Sequence, residues 1–159
     1  MRVIKLSSIT AVLICLLTVV STSSTIAEAT RKGEVTIEAP WARASIGISR
    51  PAAAYLTLRN EGSEPDVLTS VKTSVSGTAE VHEMTITDGI ARMRQVGEVE
   101  IPAGGEVVLK PGGLHVMLMK LKRPLKEGEK FNMTFIFANV GPIEVTVPVQ
   151  GIGASGPAK

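Results

Sequence analysis

From Glu34 onward the apolar residues fall in short runs of Val, Ile, Leu, Phe and Met that alternate with polar ones and break at Gly, Pro, Asn and Asp. That period of two is the mark of strands with one buried face. It predicts strands at Glu34 to Glu38, Ala53 to Arg59, Val67 to Thr73, Ala79 to Thr85, Ala91 to Val96, Glu106 to Lys110, His115 to Leu121, Phe131 to Phe137 and Ile143 to Val149. Asn60-Glu61-Gly62 and Asp88-Gly89 read as tight connections, the second a hairpin turn. Pro111-Gly112 suits the two central positions of a type II turn, where Pro sets the first φ and Gly accepts the positive second one. With no amphipathic helical period after the leader, the expected class is all-β, a sandwich or Greek-key barrel.

The first 29 residues follow a different pattern. Arg2 and Lys5 precede an apolar run from Ile9 to Val20, and small and polar residues lead to Ala27-Glu28-Ala29. This is the layout of a secretory signal with a small-x-small cleavage site. The run is shorter than the roughly 20 residues of a spanning helix, so no stable membrane anchor is expected. Cys15 follows Ile14 rather than a small residue, which argues against lipoprotein processing. Cleavage removes the only cysteine, so the mature chain has to be stable by packing alone in a compartment that permits disulfides. Residues 30–150 form the expected single domain, and GIGASGPAK supplies a flexible tail over residues 151–159. Its GxGxxG match, Gly151 to Gly156, lacks the following helix that a dinucleotide site needs.

Of 17 basic and 15 acidic residues, only Arg2, Lys5 and Glu28 belong to the leader. The remaining surface is nearly balanced and has no basic block, which excludes nucleic acid as a natural partner.

The two histidines and four of the five methionines outside the leader lie between positions 82 and 119: His82, Met84, Met93, His115, Met117 and Met119. On strands, His82 and Met84 share a face, as do His115, Met117 and Met119. One such residue alone would be core packing or a hydrogen-bonded imidazole. Two His-x-Met pairs on two strands could converge on one ion. Thioether with imidazole suits Cu(I), a soft ion, whereas zinc sites favour Cys, carboxylate or more His. Thioethers need no deprotonation and form no disulfide, although they remain open to sulfoxidation.

The spacing His82-x10-Met93-x21-His115-x-Met117 resembles the signature of the periplasmic copper chaperone family PCu(A)C. APWARAS (Ala39 to Ser45), AAAYLTLRN (Ala52 to Asn60), VHEM (Val81 to Met84), IPAGGEVVLKPGGLHVMLMKLKRPLKEG (Ile101 to Gly128) and VTVPV (Val145 to Val149) look like the same family, so the resemblance spans the mature domain. It implies a cupredoxin-like Greek-key β-barrel, one Cu(I) per domain, and His82, Met93, His115 and Met117 as ligands. It also implies a periplasmic metallochaperone, not an enzyme, that passes copper to acceptors such as cytochrome c oxidase subunits or another copper chaperone. Met84 and Met119 remain as shielding neighbours, and Met133 as core. The His- and Met-rich C-terminal extension of some members, which can take Cu(II), has no counterpart in GIGASGPAK.

Other readings are weaker. A blue-copper electron carrier needs a Cys thiolate that the mature chain lacks. His82-Glu83 does not extend to HExxH, because position 86 is Ile. No Ser/His/Asp or Cys/His arrangement stands out. Asn132-Met133-Thr134 matches a glycosylation sequon inside a predicted apolar strand and is assigned no function. Copper storage or resistance, or a copper-free binding module with the His/Met cluster as core, are the alternatives. Trp41 could line the site together with Arg43, but a lone large aromatic is expected in the core; Glu83 is expected on the strand face opposite His82. The domain is expected to be a monomer.

Overall fold

Eleven strands and no helix make up residues 29–158, the part of the chain that the computed structural model describes. The expected signal segment, with Cys15, lies outside the described residues except for Ala29. Among the described residues no helix is long and apolar enough to cross a membrane.

The strands are β1 (Thr30–Lys32), β2 (Val35–Arg43), β3 (Ala52–Asn60), β4 (Asp66–Thr73), β5 (Ser76–Thr87), β6 (Ile90–Gln95), β7 (Val99–Ile101), β8 (Glu106–Leu109), β9 (Leu114–Leu121), β10 (Lys130–Phe137) and β11 (Gly141–Gln150). They pair in the order β6-β5-β9-β3-β2-β11-β10-β4-β7, with β1 added on β2 and β8 on β3. Only the β11–β2 joint is parallel. The all-β expectation holds. The path stays open, with β6 and β7 as its ends, so hydrogen bonds do not close a barrel.

One apolar core lies between the two arms of this path. It takes Ile37, Ala54, Leu56 and Leu58 from β2 and β3, Val116 and Leu118 from β9, and Phe131, Met133, Phe135 and Phe137 from β10. Alternation on β11 does the same with Ile143, Val145, Val147 and Val149. Each Val, Leu, Ile, Phe or Met among them taken fully out of water contributes about 1.5–3 kcal/mol against the entropy of ordering the chain.

Nine of the strands correspond to predicted ones. β1 and β7 are three residues long, too short for alternation to register, and Pro102 follows β7 directly. β2 runs five residues past its predicted end. Pro40 reads as a stop in sequence, but a bulge absorbs it: the β2–β3 register shifts between Glu38 and Trp41, and Ala39 takes φ 47°. The bulge leaves Trp41 and Arg43 on the outer face.

Two of the predicted turns form as read; at the third, Asn60 ends β3 and its Oδ1 accepts from the Gly62 N–H at 2.9 Å, in a connection to β4 over residues 61–65. Asp88 (φ 52°) and Gly89 (φ 75°) join β5 to β6, and Thr87 pairs with Ile90 across them, the geometry of a two-residue type I′ hairpin. Gly112 has φ 79°, and the Gly113 N–H donates to the Lys110 carbonyl at 3.1 Å, closing a type II turn ahead of β9.

Candidate metal centre

Burying Val116 and Leu118 in the core sends His115, Met117 and Met119 to the other face of β9. The β5–β9 register sets His82 directly opposite His115, and Glu80 opposite Met117. The β5–β6 register sets Met84 directly opposite Met93. Directly paired residues share a face. One hairpin and one nonlocal pairing thus collect His82, Met84, Met93, His115 and Met117 on one side of the sheet.

Aromatic rings extend this face. Trp41 stands opposite Tyr55 in the β2–β3 register, and their ring centroids lie 4.5 Å apart. Tyr55 is 6.5 Å from the His115 ring, which is 6.2 Å from that of His82. Trp41, expected in the core, is buried outside the core cluster, against Tyr55. Burial pushes the Tyr55 phenol above its ordinary range, and the Arg43 cation, 5.7 Å from the ring centre, partly offsets this. Tyr55 therefore stays a neutral phenol in the physiological range.

A cavity of about 420 Å³ opens over the face. Met84, Met93, His115 and Met117 line it, and Ile46, Arg50 and Ile152 stand at its edge. The loop carrying Ile46 and Arg50 is pinned at its start, where the Ser45 N–H donates to the Leu125 carbonyl and the Leu125 N–H to Ser45 Oγ, both at 2.9 Å. The segment after β11, expected to be a flexible tail, has no strand or helix. Its first residues cross the site: Arg43 Nε donates to the Ala154 carbonyl at 2.8 Å, and Ile152 reaches the cavity.

The imidazoles are held in different ways. His115 is buried, and its Nδ1 lies 3.0 Å from the Gly113 carbonyl. A carbonyl can only accept, so Nδ1 carries the proton and Nε2 is left with a free lone pair. The same carbonyl accepts from the Met84 N–H at 3.1 Å, tying the two donor-bearing strands together. His82 Nε2 lies 3.3 Å from Glu80 Oε2, so Nδ1 is its free nitrogen when the ring is neutral. Such outer partners fix a ring's tautomer and orientation.

Of the predicted ligands, His115, Met117 and Met93 share the cavity wall, whereas His82 stands beside His115 and is not part of the wall. Met84, read from sequence as a neighbour, is part of it. Met93 is 45% exposed and Met117 partly buried, so the donor set runs from solvent into the fold. Glu83 points to the opposite face, as expected, and pairs with Arg94. Met133 is fully buried in the core, also as expected. Among the described residues no three of His, Cys, Asp and Glu are placed to hold a metal. A cation at this face has to be met mainly by thioether sulfur, which selects for a soft ion. Sequence reasoning did not single out Tyr55, Arg50, Ile46 or Ile152. Tyr55 carried a signal, because alternation in AAAYLTLRN puts it with Ala53 opposite the core residues; the others are loop residues whose contacts are set by tertiary structure.

A family described as "Putative lipoprotein LpqE-like" matches over residues 35–149. The chain belongs to the LpqE-like family. Putative lipoprotein Lxx21020 of Leifsonia xyli subsp. xyli is 32% identical over 117 residues, 73% of this chain and 69% of that protein. Among solved structures, this LpqE-like chain is similar to the CuI-DR1885 solution structure from Deinococcus radiodurans, with 33% identity, a TM-score of 0.58 and coverage of 81% of this chain and 83% of that one. It is also similar to the apo PCuAC domain from PmoF1, with 27% identity, a TM-score of 0.66 and coverage of 78% and 99%. The PCu(A)C resemblance read from the His/Met spacing is thereby borne out, and with it the cupredoxin-like β fold.

Proposed function

We propose that the LpqE-like chain is an exported, non-enzymatic metallochaperone. In this reading it binds one Cu(I) through His82, Met93, His115 and Met117 and passes it to copper-accepting proteins in the periplasm, in the assembly of cytochrome c oxidase copper centres. The observation that carries this reading is the cavity wall itself. Three thioethers and an imidazole with a free Nε2 converge from β5, β6 and β9, with no carboxylate or thiol among them. Neutral thioether and imidazole donors hold Cu(I) without a thiol that must first lose its proton, and the thioethers favour it over divalent ions. Likeness to the CuI-DR1885 structure supports the same ion. Export is supported by the leader pattern of residues 1–29, and no reaction is suggested by any nucleophile with its base at the cavity.

Handing copper on requires an exit. Met93, on the edge strand β6 and 45% exposed, can be displaced by an incoming donor while His115, held by Gly113, keeps its place. A second reading has a specific observation in its favour: Met84 lines the cavity and His82 does not, so Met84 would supply the fourth donor and His82 would act from beside it.

A transfer assay tests the chaperone role. The copper-loaded chain, mixed with an apo copper acceptor of higher affinity, is expected to deliver its copper faster than it releases copper to a dilute chelator. Transfer no faster than spontaneous release would point to a copper store instead.

A further inference from the structure

Two cations stand where a cation is to bind. Arg43 and Arg50 line the cavity with the thioethers and His115. Among the described arginines Arg43, Arg50 and Arg92 form no ion pair, whereas Arg31, Arg59, Arg94 and Arg123 do, and of the three only Arg43 and Arg50 line the cavity. Arg43 spends its Nε on the Ala154 carbonyl, and Arg50 is exposed on the loop before β3. Glu80, opposite Met117 on this face, is occupied with His82. Cu(I) held by neutral imidazole and thioethers keeps its full charge, so two guanidinium groups beside it raise the local positive potential. An anion arriving at the cavity relieves it.

The edge of the same cavity is apolar and exposed. Ile46 is 60% exposed and Ile152 54%, and Ile86, two residues beyond Met84 on the same strand face, is 68% exposed. A free anion gains nothing from such a surface, whereas a protein segment buries it. We infer that the cavity mouth is the docking surface for a copper acceptor whose receiving segment carries a carboxylate flanked by apolar side chains. The carboxylate pairs with Arg50 and Arg43, and the apolar side chains cover Ile46, Ile86 and Ile152. Docking brings the acceptor's donors beside Met93, the most exposed of the thioethers in the wall. This inference rests on the copper reading above.

The test uses the copper-loaded chain and three synthetic peptides, kept reduced under anoxic conditions. Each contains Leu-Cys-Ala-Ala-Cys-Leu, flanked on both sides by Asp, by Asn or by Lys. Copper loading and equilibrium affinity are measured first. The Asp peptide is expected to take copper about tenfold faster than the Lys peptide, with the Asn peptide between them. In Arg50→Gln, whose copper affinity is expected to equal or exceed that of the native chain, that ratio falls below about twofold, within the weak end of exposed charge effects. Ile46→Ser slows all three peptides alike. A ranking absent from the native chain, or kept in Arg50→Gln, overturns the docking surface. So does free acetate if it speeds transfer to the Asn peptide as much as the Asp flanks do, which would make the arginines a simple anion site. Copper-dependent dimers abolished by Arg50→Gln would assign the surface to a second copy and equally overturn the inference. A chain that takes up no copper refutes the copper reading and this inference together; one that loads copper but shows no ranking refutes this inference alone.

Discussion

His115 donates from Nδ1 to the Gly113 carbonyl, and that single bond decides which ring nitrogen faces a metal. His82 has its Nε2 turned to Glu80 instead, outside the cavity wall that Met84 helps to build. The two residues therefore separate by substitution. With His82 as ligand, His82→Ala weakens Cu(I) binding by about 100-fold or more, above the range for an outer partner, and Met84→Ala by less than about 10-fold. Competition titrations of both variants against a Cu(I) chelator check this, and the reverse order would make Met84 the donor. The need for soft donors was legible in the sequence, because His-x-Met on a strand places both on one face. Which nitrogen is free was not legible, since it depends on a backbone carbonyl positioned by a turn.

At the scale of elements, the site depends on the turn and hairpin that aim its strands. Gly112 at φ 79° closes the turn whose last residue, Gly113, supplies the carbonyl for both His115 and Met84. Gly112→Ala meets no neighbour within 4 Å, so its cost comes from φ alone. That cost is about 1–2 kcal/mol for a side chain in the left-handed region. Denaturant unfolding is expected to show that loss with an unchanged slope, together with weaker copper binding; native stability in the variant would contradict the turn assignment. This turn and the Asp88-Gly89 hairpin were legible because their residues carry the required φ values. The passage of β2 through Pro40 was not, because a bulge accommodates a residue that sequence reading treats as a stop. β7 escaped notice because three residues cannot show a period.

The whole molecule separates its stability from its copper face. The core takes one face of each main strand, and the other face of β3, β5 and β9 is left for rings and thioethers. Alternation revealed which residues point inward. It could not reveal that His82 would stand opposite His115, that Trp41 would stack on Tyr55 rather than join the core, or that Ile152 would reach the cavity. Those are consequences of nonlocal pairing. Stability also has a surface electrostatic part: Arg123 holds the Glu129 carboxyl below its ordinary range, helped by the Lys126 N–H. A carboxyl depressed in the folded state stabilises at neutral pH, and the contribution disappears as pH falls through the depressed value. Glu129→Gln is therefore expected to melt slightly below the native chain at pH 7, with the gap closing below about pH 4. A gap that stays constant across that range would exclude the ion pair as its source.

The central claim is that one Cu(I) sits among His and Met donors on the outer face of β5, β6 and β9. Competition titration of the chain and of His115→Ala and Met117→Ala at several pH values tests it most directly. The native chain is expected to bind one equivalent, and each variant to bind about 100-fold or more weakly. Affinity should fall on acidification, because a protonated imidazole has no lone pair to give the ion. Equal affinity in the variants, or a flat response from about pH 8 to about pH 4, would contradict the account.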